Sequence, residues 1–94
     1  MAVTFSIVAP IYNELDNLPE LYRRVREVMS KAGETWELVL VDDGSTDGST
    51  ECILELAKQD KHVRPVIFAR NFGHQPAITA GWDYARGEAV VIID

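Results

Sequence analysis

The sequence predicts an α/β fold with a mostly parallel sheet of four strands and three helices. Short, nearly continuous apolar runs rich in Val, Ile and Leu alternate with segments whose apolar residues recur at helical spacing. Continuous apolar runs are typical of strands that are buried on both faces. Turn-forming residues separate the two kinds of segment. This β-α-β-α-β-α-β alternation implies right-handed crossovers between parallel strands.

Four apolar runs predict the strands. They cover residues 5–9, 36–41, 63–68 and 89–93. The first is expected to stop at Pro10. The third contains Pro65, and because proline has no N–H to donate to a sheet ladder, we expect this strand at an edge of the sheet.

Capping residues and helical spacing predict the helices. Asn17 is expected to cap the first helix with Glu20 as its capping-box partner, and Gly33 to end it. Pro76 suits the first turn of the third helix, and Gly87 its end. The side chains expected to face inward are Leu18, Leu21, Tyr22, Val25, Val28 and Met29 in the first helix, Ile53, Leu56 and Ala57 in the second, and Ala77, Ile78, Gly81, Trp82 and Ala85 in the third.

Length and composition predict one domain, residues 1–94, with a net charge of −6. An acidic chain is not expected to bind nucleic acid. The single cysteine, Cys52, is expected to pack in the interior. The first residues lack a signal peptide and no run is long enough to cross a bilayer, so we expect a cytoplasmic protein. The chain ends directly after an apolar strand, so we expect it to be the first part of a longer protein.

Polar residues follow the predicted strands, at the sheet edge where ligands bind in such folds. Tyr12 and Glu14 follow the first strand, Asp42 and Asp43 the second, and Asp94 the fourth. A carboxylate there can accept hydrogen bonds from a base or a ribose. The same residues also suit ordinary roles, because Asp is common in turns and helix caps and a tyrosine can pack on a helix.

Other signatures point elsewhere or are missing. Asp43, Ser45, Asp47 and Gly48 mimic the start of a calcium-binding EF-hand loop, but Leu54 stands where its bidentate glutamate belongs. The sequence has no G-x-G-x-x-G motif, no P-loop and no G-x-S-x-G motif. Arg70 has a charge suited to a phosphate, although a solvated loop arginine explains it as well.

Three segments together resemble the opening of family 2 glycosyltransferases of the GT-A type. They are residues 6–14 (SIVAPIYNE), 41–48 (VDDGSTDG) and 91–94 (VIID). Residues 70–74 (RNFGH), followed by Ala77, Ala80 and Gly81, resemble the polyprenyl-phosphate sugar transferases in particular. The resemblance covers essentially the whole chain.

The resemblance implies a Rossmann-like nucleotide-binding half with strand order 3-2-1-4. It implies transfer of a sugar from a nucleotide diphosphate sugar to a polyprenyl phosphate with Mg²⁺ or Mn²⁺, in an intact protein that can associate with the cytoplasmic face of a membrane. By motif, the residues lining the nucleoside pocket are Pro10, Tyr12, Glu14, Val41 and Asp43, and Asp94 is the first acid of a metal-binding D-x-D motif. The second acid falls beyond residue 94, so we expect these 94 residues to be inactive alone.

Two other protein classes fit parts of the pattern, and one strand edge favours self-association. A receiver-like signalling domain also has acids at strand ends, but it needs the acidic pair after the first strand and a phosphoacceptor after the third, which here ends in Ala69 and Arg70. A nucleotide-binding or protein-interaction module without catalysis is the other alternative. In the order 3-2-1-4 the strand at residues 89–93 is an edge without proline or charge, so we expect self-association through it.

Overall fold

In a computed structural model, which describes residues 2–93, the chain forms the predicted α/β sheet. The strands are β1 (Val3–Ile11), β2 (Trp36–Asp42), β3 (Val63–Ile67) and β4 (Gly87–Ile92), and the helices are α1 (Leu18–Ala32), α2 (Ser49–Gln59) and α3 (His74–Tyr84). The strand order is β3-β2-β1-β4 with every pair parallel. This confirms the predicted order and the edge position of Pro65, which pairs with Leu40.

The sheet separates two apolar clusters of different size. The larger one contains Leu38, Leu40 and Ile7 from the sheet, Leu18 at the start of α1 and Ile53 from α2. Ile53 is fully buried, and Leu56, Ala57 and Cys52 pack beside it, as predicted for α2. Burial raises the pKa of the Cys52 thiol, which therefore stays protonated. The smaller cluster joins Val8, Val39 and Val41 to Ala77 of α3 on the other face.

Strand β1 does not stop at Pro10 but continues to Ile11. Residues of a parallel strand direct their N–H and C=O groups alternately to the two neighbours. The carbonyl of Val8 accepts from Ile93 on the β4 side, and that of Ile11 accepts from Asp43 on the β2 side. Pro10 therefore faces the β4 side, one step past the last β1–β4 pair, Val8 and Ile92. On the β2 side the strand continues, since the carbonyl of Ile11 still accepts from Asp43.

The predicted capping box of α1 does not form. Asn17 is the N-cap residue, but its side chain makes no capping hydrogen bond and donates to Glu14 Oε2 at 2.7 Å instead. Glu20 accepts from Arg23 and Arg24, which lower the pKa of its carboxyl to about 2. Gly33 ends the helix at φ 73°, as predicted.

Val28 is not an inward residue of α1, since it is 63% exposed. It borders an apolar groove of about 480 Å³ between α1 and the outer face of β4. The groove is lined by Phe5, Ile7, Leu21, Arg24, Val25, Val28, Met29, Ala32, Val91 and Ile93. Within residues 2–93 no element covers this part of the sheet. The apolar face of α1 therefore extends beyond the part that the helix buries against the sheet.

Helix α3 lies close to the sheet because only small side chains face it. Ala77 and Gly81 are its buried residues, and a Cβ on Gly81 would overlap the side chain of Val8. Trp82, predicted to face inward, is 57% exposed because a large ring does not fit into this tight contact. The helix ends at Tyr84, so Gly87 is not its stop signal but the first residue of β4.

Strand β4 is the second edge of the sheet among the described residues. Val91 is 48% exposed and Ile92 38%. No helix within residues 2–93 is long and apolar enough to span a bilayer.

Candidate functional site

The carboxyl ends of β1 and β2 border a groove of about 320 Å³, which we call the edge groove. It is lined by Pro10, Ile11, Tyr12, Glu14, Asp43, Asn71, Gly73 and His74. Four residues that the sequence singled out therefore share one surface: Pro10, Tyr12, Glu14 and Asp43. They come together because β1 and β2 are parallel neighbours and end at the same edge of the sheet.

Asp43 is the most constrained of these residues, and it is only 4% exposed. Its Oδ1 accepts from the backbone N–H of Phe72 at 2.7 Å. The N–H of Gly73 is shared between Oδ1 at 3.3 Å and Oδ2 at 3.1 Å. Asn71 Nδ2 donates to Oδ2 and also to the carbonyl oxygen of Asp43, both at 3.1 Å. The carboxylate thus joins the end of β2 to the segment that leads into α3.

Asp42 has a different role from that of its neighbour. Its residue is completely buried, Oδ1 accepts from the N–H of Ser45 at 3.1 Å, and Oδ2 accepts from the hydroxyl of Thr50. These bonds hold the turn after β2 against the first turn of α2. The first acid of the pair therefore serves the turn, and it does not line the edge groove.

The turn after β2 and the segment before α3 are in direct backbone contact at Gly44. This residue has φ +74°, and a Cβ there would overlap the backbone of Arg70 and Asn71. Only glycine fits both the left-handed conformation and the close approach. Glycine at this position therefore decides how near residues 70–73 lie to Asp43.

The segment after β1 is held by the same turn. Asn13 has a positive φ of 52°. Its N–H donates to Ser45 Oγ at 3.0 Å, and its Oδ1 accepts from the N–H of Thr46 at 2.7 Å. Asp47 accepts from the N–H of Leu15 at 3.1 Å. These bonds hold the backbone beside Tyr12 and Glu14 in place. Tyr12 is 48% exposed.

Asp47, an acid of the calcium-loop mimic, is also used within the turn. Its Oδ1 accepts from the hydroxyl of Ser49 at 2.6 Å and from the N–H of the same residue at 3.0 Å. The bond from the Ser49 hydroxyl is the main reason that the pKa of Asp47 is lowered. Within residues 2–93 no three His, Cys, Asp or Glu side chains come together as metal ligands.

A second groove of about 380 Å³ lies beside the edge groove, between β1, the start of α1 and the end of β4. Its lining includes Ala9, Pro10, Glu14 and Ile93. Strands β2 and β3 lie on one side of β1 and β4 lies on the other, so the direction of strand order reverses at this place. Ligands in α/β sheets bind at such switch points. Glu14 and Pro10 border both grooves, so the two form one continuous surface.

Two predicted site residues lie elsewhere. Val41 is fully buried in the smaller cluster under α3, and Gly81 is its neighbour there. Its side chain does not line the edge groove, because β2 directs it to the helix-covered face. Asp94, the predicted metal ligand, lies outside the described residues.

Arg70 and Asn71 make contacts that the sequence did not predict. The guanidinium of Arg70 stacks over the ring of Phe72 at 4.7 Å, so this charge lies beside an aromatic face. Asn71 and Gly73 were missed as partners of Asp43. Their place in the RNFGH segment was the only signal in the sequence. Neither residue type nor spacing indicates that this segment contacts the end of β2.

Known proteins are similar in sequence to almost the whole of this chain. The uncharacterized glycosyltransferase YkcC of Bacillus subtilis (strain 168) is 50% identical over 92 residues, which are 98% of this chain and 28% of that protein. An undecaprenyl-phosphate 4-deoxy-4-formamido-L-arabinose transferase of Salmonella paratyphi B is 38% identical over 90 residues, 95% of this chain and 28% of that protein. The chain thus spans just over a quarter of the length of these relatives.

A solved structure has a similar fold. The crystal structure of residues 1–349 of S. aureus TarS superposes with a TM-score of 0.78 at 25% identity, over 98% of this chain and 27% of TarS. The family model described as glycosyl transferase family 2 matches residues 6–94, from Ser6 in β1 onward. This match leaves no support for a receiver-like signalling domain. The chain belongs to glycosyl transferase family 2.

Proposed function

We propose that the protein carrying this sequence transfers a sugar from a nucleotide diphosphate sugar to a polyprenyl phosphate, and that the edge groove holds the nucleoside of the donor. The observation that carries the proposal is the position of Asp43, a carboxylate held by three N–H donors on the wall of a groove at the sheet edge. The acceptor class is supported by the Salmonella relative, which is named as an undecaprenyl-phosphate transferase.

The four predicted site residues that line the edge groove each have a role in this proposal. Asp43 accepts an N–H of the base, the exposed ring of Tyr12 stacks on the base, and Glu14 accepts from the sugar or base. Pro10 fixes the direction in which the chain leaves β1.

The proposed cofactor is Mg²⁺ or Mn²⁺, with Asp94 as one ligand. Residues 2–93 supply no metal site of their own, so the ion would require Asp94 together with residues beyond this sequence. A bound divalent ion would neutralise the two phosphates of the donor. Ile93, the last described residue, lines the second groove, which extends the edge groove toward the end of β4.

The acceptor needs little help from this part of the chain. A polyprenyl phosphate is already anionic, so its oxygen can attack the sugar without a general base. We propose that the reaction takes place at the cytoplasmic face of the membrane that holds the lipid.

A nucleotide-binding protein without catalytic activity is the alternative function.

The proposed reaction is tested with the full-length protein, uridine and guanosine diphosphate sugars, and undecaprenyl phosphate in detergent. The expected result is a glycosylated lipid phosphate that appears only with a divalent ion and is absent after chelation. Tight nucleotide binding without any transfer would favour the non-catalytic alternative. Transfer to a non-lipid acceptor alone would contradict the proposed acceptor.

Asp43→Asn and Asp42→Asn in the full-length protein separate the two acids. We expect Asp43→Asn to weaken nucleoside diphosphate binding about 10- to 100-fold, since a hydrogen bond to a charged group contributes about 1.5–3 kcal/mol. Asp42→Asn should lower thermal stability and leave affinity nearly unchanged, because the Asp42 side chain bonds only to Ser45 in the turn and Thr50 in α2, away from the edge groove. Calorimetric titration measures both affinities. Loss of binding in the folded Asp42→Asn protein alone would reverse the assignment.

The 94-residue chain by itself is expected to transfer no sugar and to bind nucleotides weakly. In this proposal the remaining metal ligands and the contacts to the diphosphate come from residues outside these 94. Several contacts of about 1.5–3 kcal/mol each then disappear, which lowers affinity by orders of magnitude. Product analysis with radiolabelled donors tests this, and any turnover by the purified chain would contradict it.

Self-association of the 94-residue chain is proposed through β4. Residues 89–93 contain no proline or charge, Val91 and Ile92 are exposed, and the neighbouring groove is apolar. Unpaired N–H and C=O groups on such an edge favour strand pairing between chains. Analytical ultracentrifugation at about 100 μM, where exposed apolar surface commonly associates, should give dimers or larger species. The variant Val91→Lys should shift them to monomers, and a monomeric parent chain would refute the proposal.

A further inference from the structure

We propose that Asn71 is a positioning residue of the edge groove: its side-chain amide orients the carboxylate of Asp43 for one N–H donor of a nucleobase. This inference rests on the proposed function, because it concerns how the same groove distinguishes its ligands. Asn71 lines the groove itself.

The amide of Asn71 bridges two parts of Asp43. Nδ2 lies 3.1 Å from Oδ2 of the carboxylate and 3.1 Å from the backbone carbonyl oxygen of the same residue. One donor group therefore ties the side chain of Asp43 to its own backbone and restricts rotation of the carboxylate. The backbone N–H groups of Phe72 and Gly73 act on the carboxylate but not on the carbonyl.

Counting acceptor positions shows what remains for a ligand. A carboxylate offers about four lone-pair sites. Three N–H donors use it here, from Asn71, Phe72 and Gly73, and the Gly73 bond is divided between both oxygens. These donors make four contacts, two on each oxygen, and the weakest is that of Gly73 to Oδ1 at 3.3 Å. Because Gly73 keeps its 3.1 Å bond to Oδ2, a ligand N–H can replace the contact on Oδ1, on a side chain that lines the groove.

The chemistry of the bases then predicts a preference. Uracil and guanine present a ring N–H that a carboxylate accepts, whereas cytosine and adenine present a ring nitrogen lone pair at the corresponding position. An anionic acceptor held in one orientation favours the first pair and repels the second. If Asn71 is lost, the carboxylate gains rotational freedom and the preference weakens.

Calorimetry on the full-length protein tests this with the uridine, guanosine, cytidine and adenosine diphosphates, and with inorganic pyrophosphate as a probe without a base. Wild-type protein should prefer the uridine or guanosine compound. Asn71→Ala should reduce that affinity about tenfold and narrow the preference, with pyrophosphate affinity unchanged. Asn71→Asp keeps the size of the side chain but removes the donor. It should lose more nucleotide affinity than Asn71→Ala, because its carboxylate then faces that of Asp43.

The matched control is Gln59→Ala, since Gln59 is an amide whose bond to Glu55 is confined to the exposed surface of α2. It should bind as wild type. Folded Asn71 variants with wild-type affinity and base preference would overturn the positioning role. An equal loss for pyrophosphate would also overturn it, since that pattern indicates general damage to the groove. If wild-type protein binds no nucleoside diphosphate, the proposed function itself fails, and this inference with it.

Discussion

Replacing Glu37 by alanine is expected to lower the free energy of unfolding by about 2–6 kcal/mol, because the Ser6 hydroxyl and the Arg86 N–H lose their acceptor and an unsatisfied buried donor costs about 1–3 kcal/mol. The Glu37 side chain is only 2% exposed. It accepts from the Ser6 hydroxyl at 2.6 Å, from Arg64 Nη1 at 3.1 Å, and from the backbone N–H of Arg86 at 2.7 Å. Ser6 in turn accepts from the N–H of Gly87. One carboxylate thus joins β1, β2, β3 and the start of β4.

The pH dependence of stability follows from the same contacts. Burial by itself would raise the pKa of Glu37, but the hydrogen bonds from Ser6, from the Arg86 backbone and from both guanidinium groups lower it below 4.5. Since the folded-state pKa lies below the unfolded value, the stabilisation is fully present above that value. It is lost as the pH falls through the folded-state pKa. The Glu37→Ala protein should lack this acid-dependent loss.

Urea unfolding of the full-length protein at several pH values measures both effects. Glu27→Gln is the matched control, because Glu27 pairs with Arg23 and Lys31 on the exposed face of α1. Exposed pairs of this kind contribute about 0.2–1 kcal/mol. A Glu37→Ala protein no less stable than Glu27→Gln would show that the network does not stabilise the fold.

Gly44→Ala is expected to weaken nucleotide binding at least about tenfold and to cost about 1–3 kcal/mol of stability. The added Cβ would overlap the backbone of Arg70 and Asn71, so residues 70–73 must move away from the turn. Asp43 then loses the donors of Phe72 and Gly73 that hold its carboxylate. Calorimetric titration of the full-length protein with uridine and guanosine diphosphates measures the loss.

Gly33→Ala is the control for backbone strain. Gly33 has nearly the same φ, +73° against +74° for Gly44, but a Cβ there would meet nothing within 4 Å. Its stability should fall by about 1 kcal/mol, the strain alone, and its affinity should stay at the wild-type value. Equal affinities of the two variants would show that contact between the turn and residues 70–73 does not shape the groove.

Local pattern was sufficient for most elements and failed at particular residues. Pro10 was expected to end β1, but the strand continues to Ile11, whose carbonyl accepts from Asp43 on the β2 side. Trp82 fits the apolar spacing of α3, yet the contact at Gly81 is too close for a large ring. In both cases the outcome depends on a neighbouring element, which periodicity along one segment does not describe.

The sequence by itself determined the element order, the edge position of β3 and the meeting of Pro10, Tyr12, Glu14 and Asp43 at one edge. Alternating patterns, a proline and parallel strand direction carry that information locally. Only the tertiary structure decided that Asp43 is held by residues 71–73, that Val41 faces the core, and that Glu37 joins four strands. These contacts join residues about 28 to 49 positions apart, so they depend on how the crossovers bring distant segments together, and no short-range pattern records them.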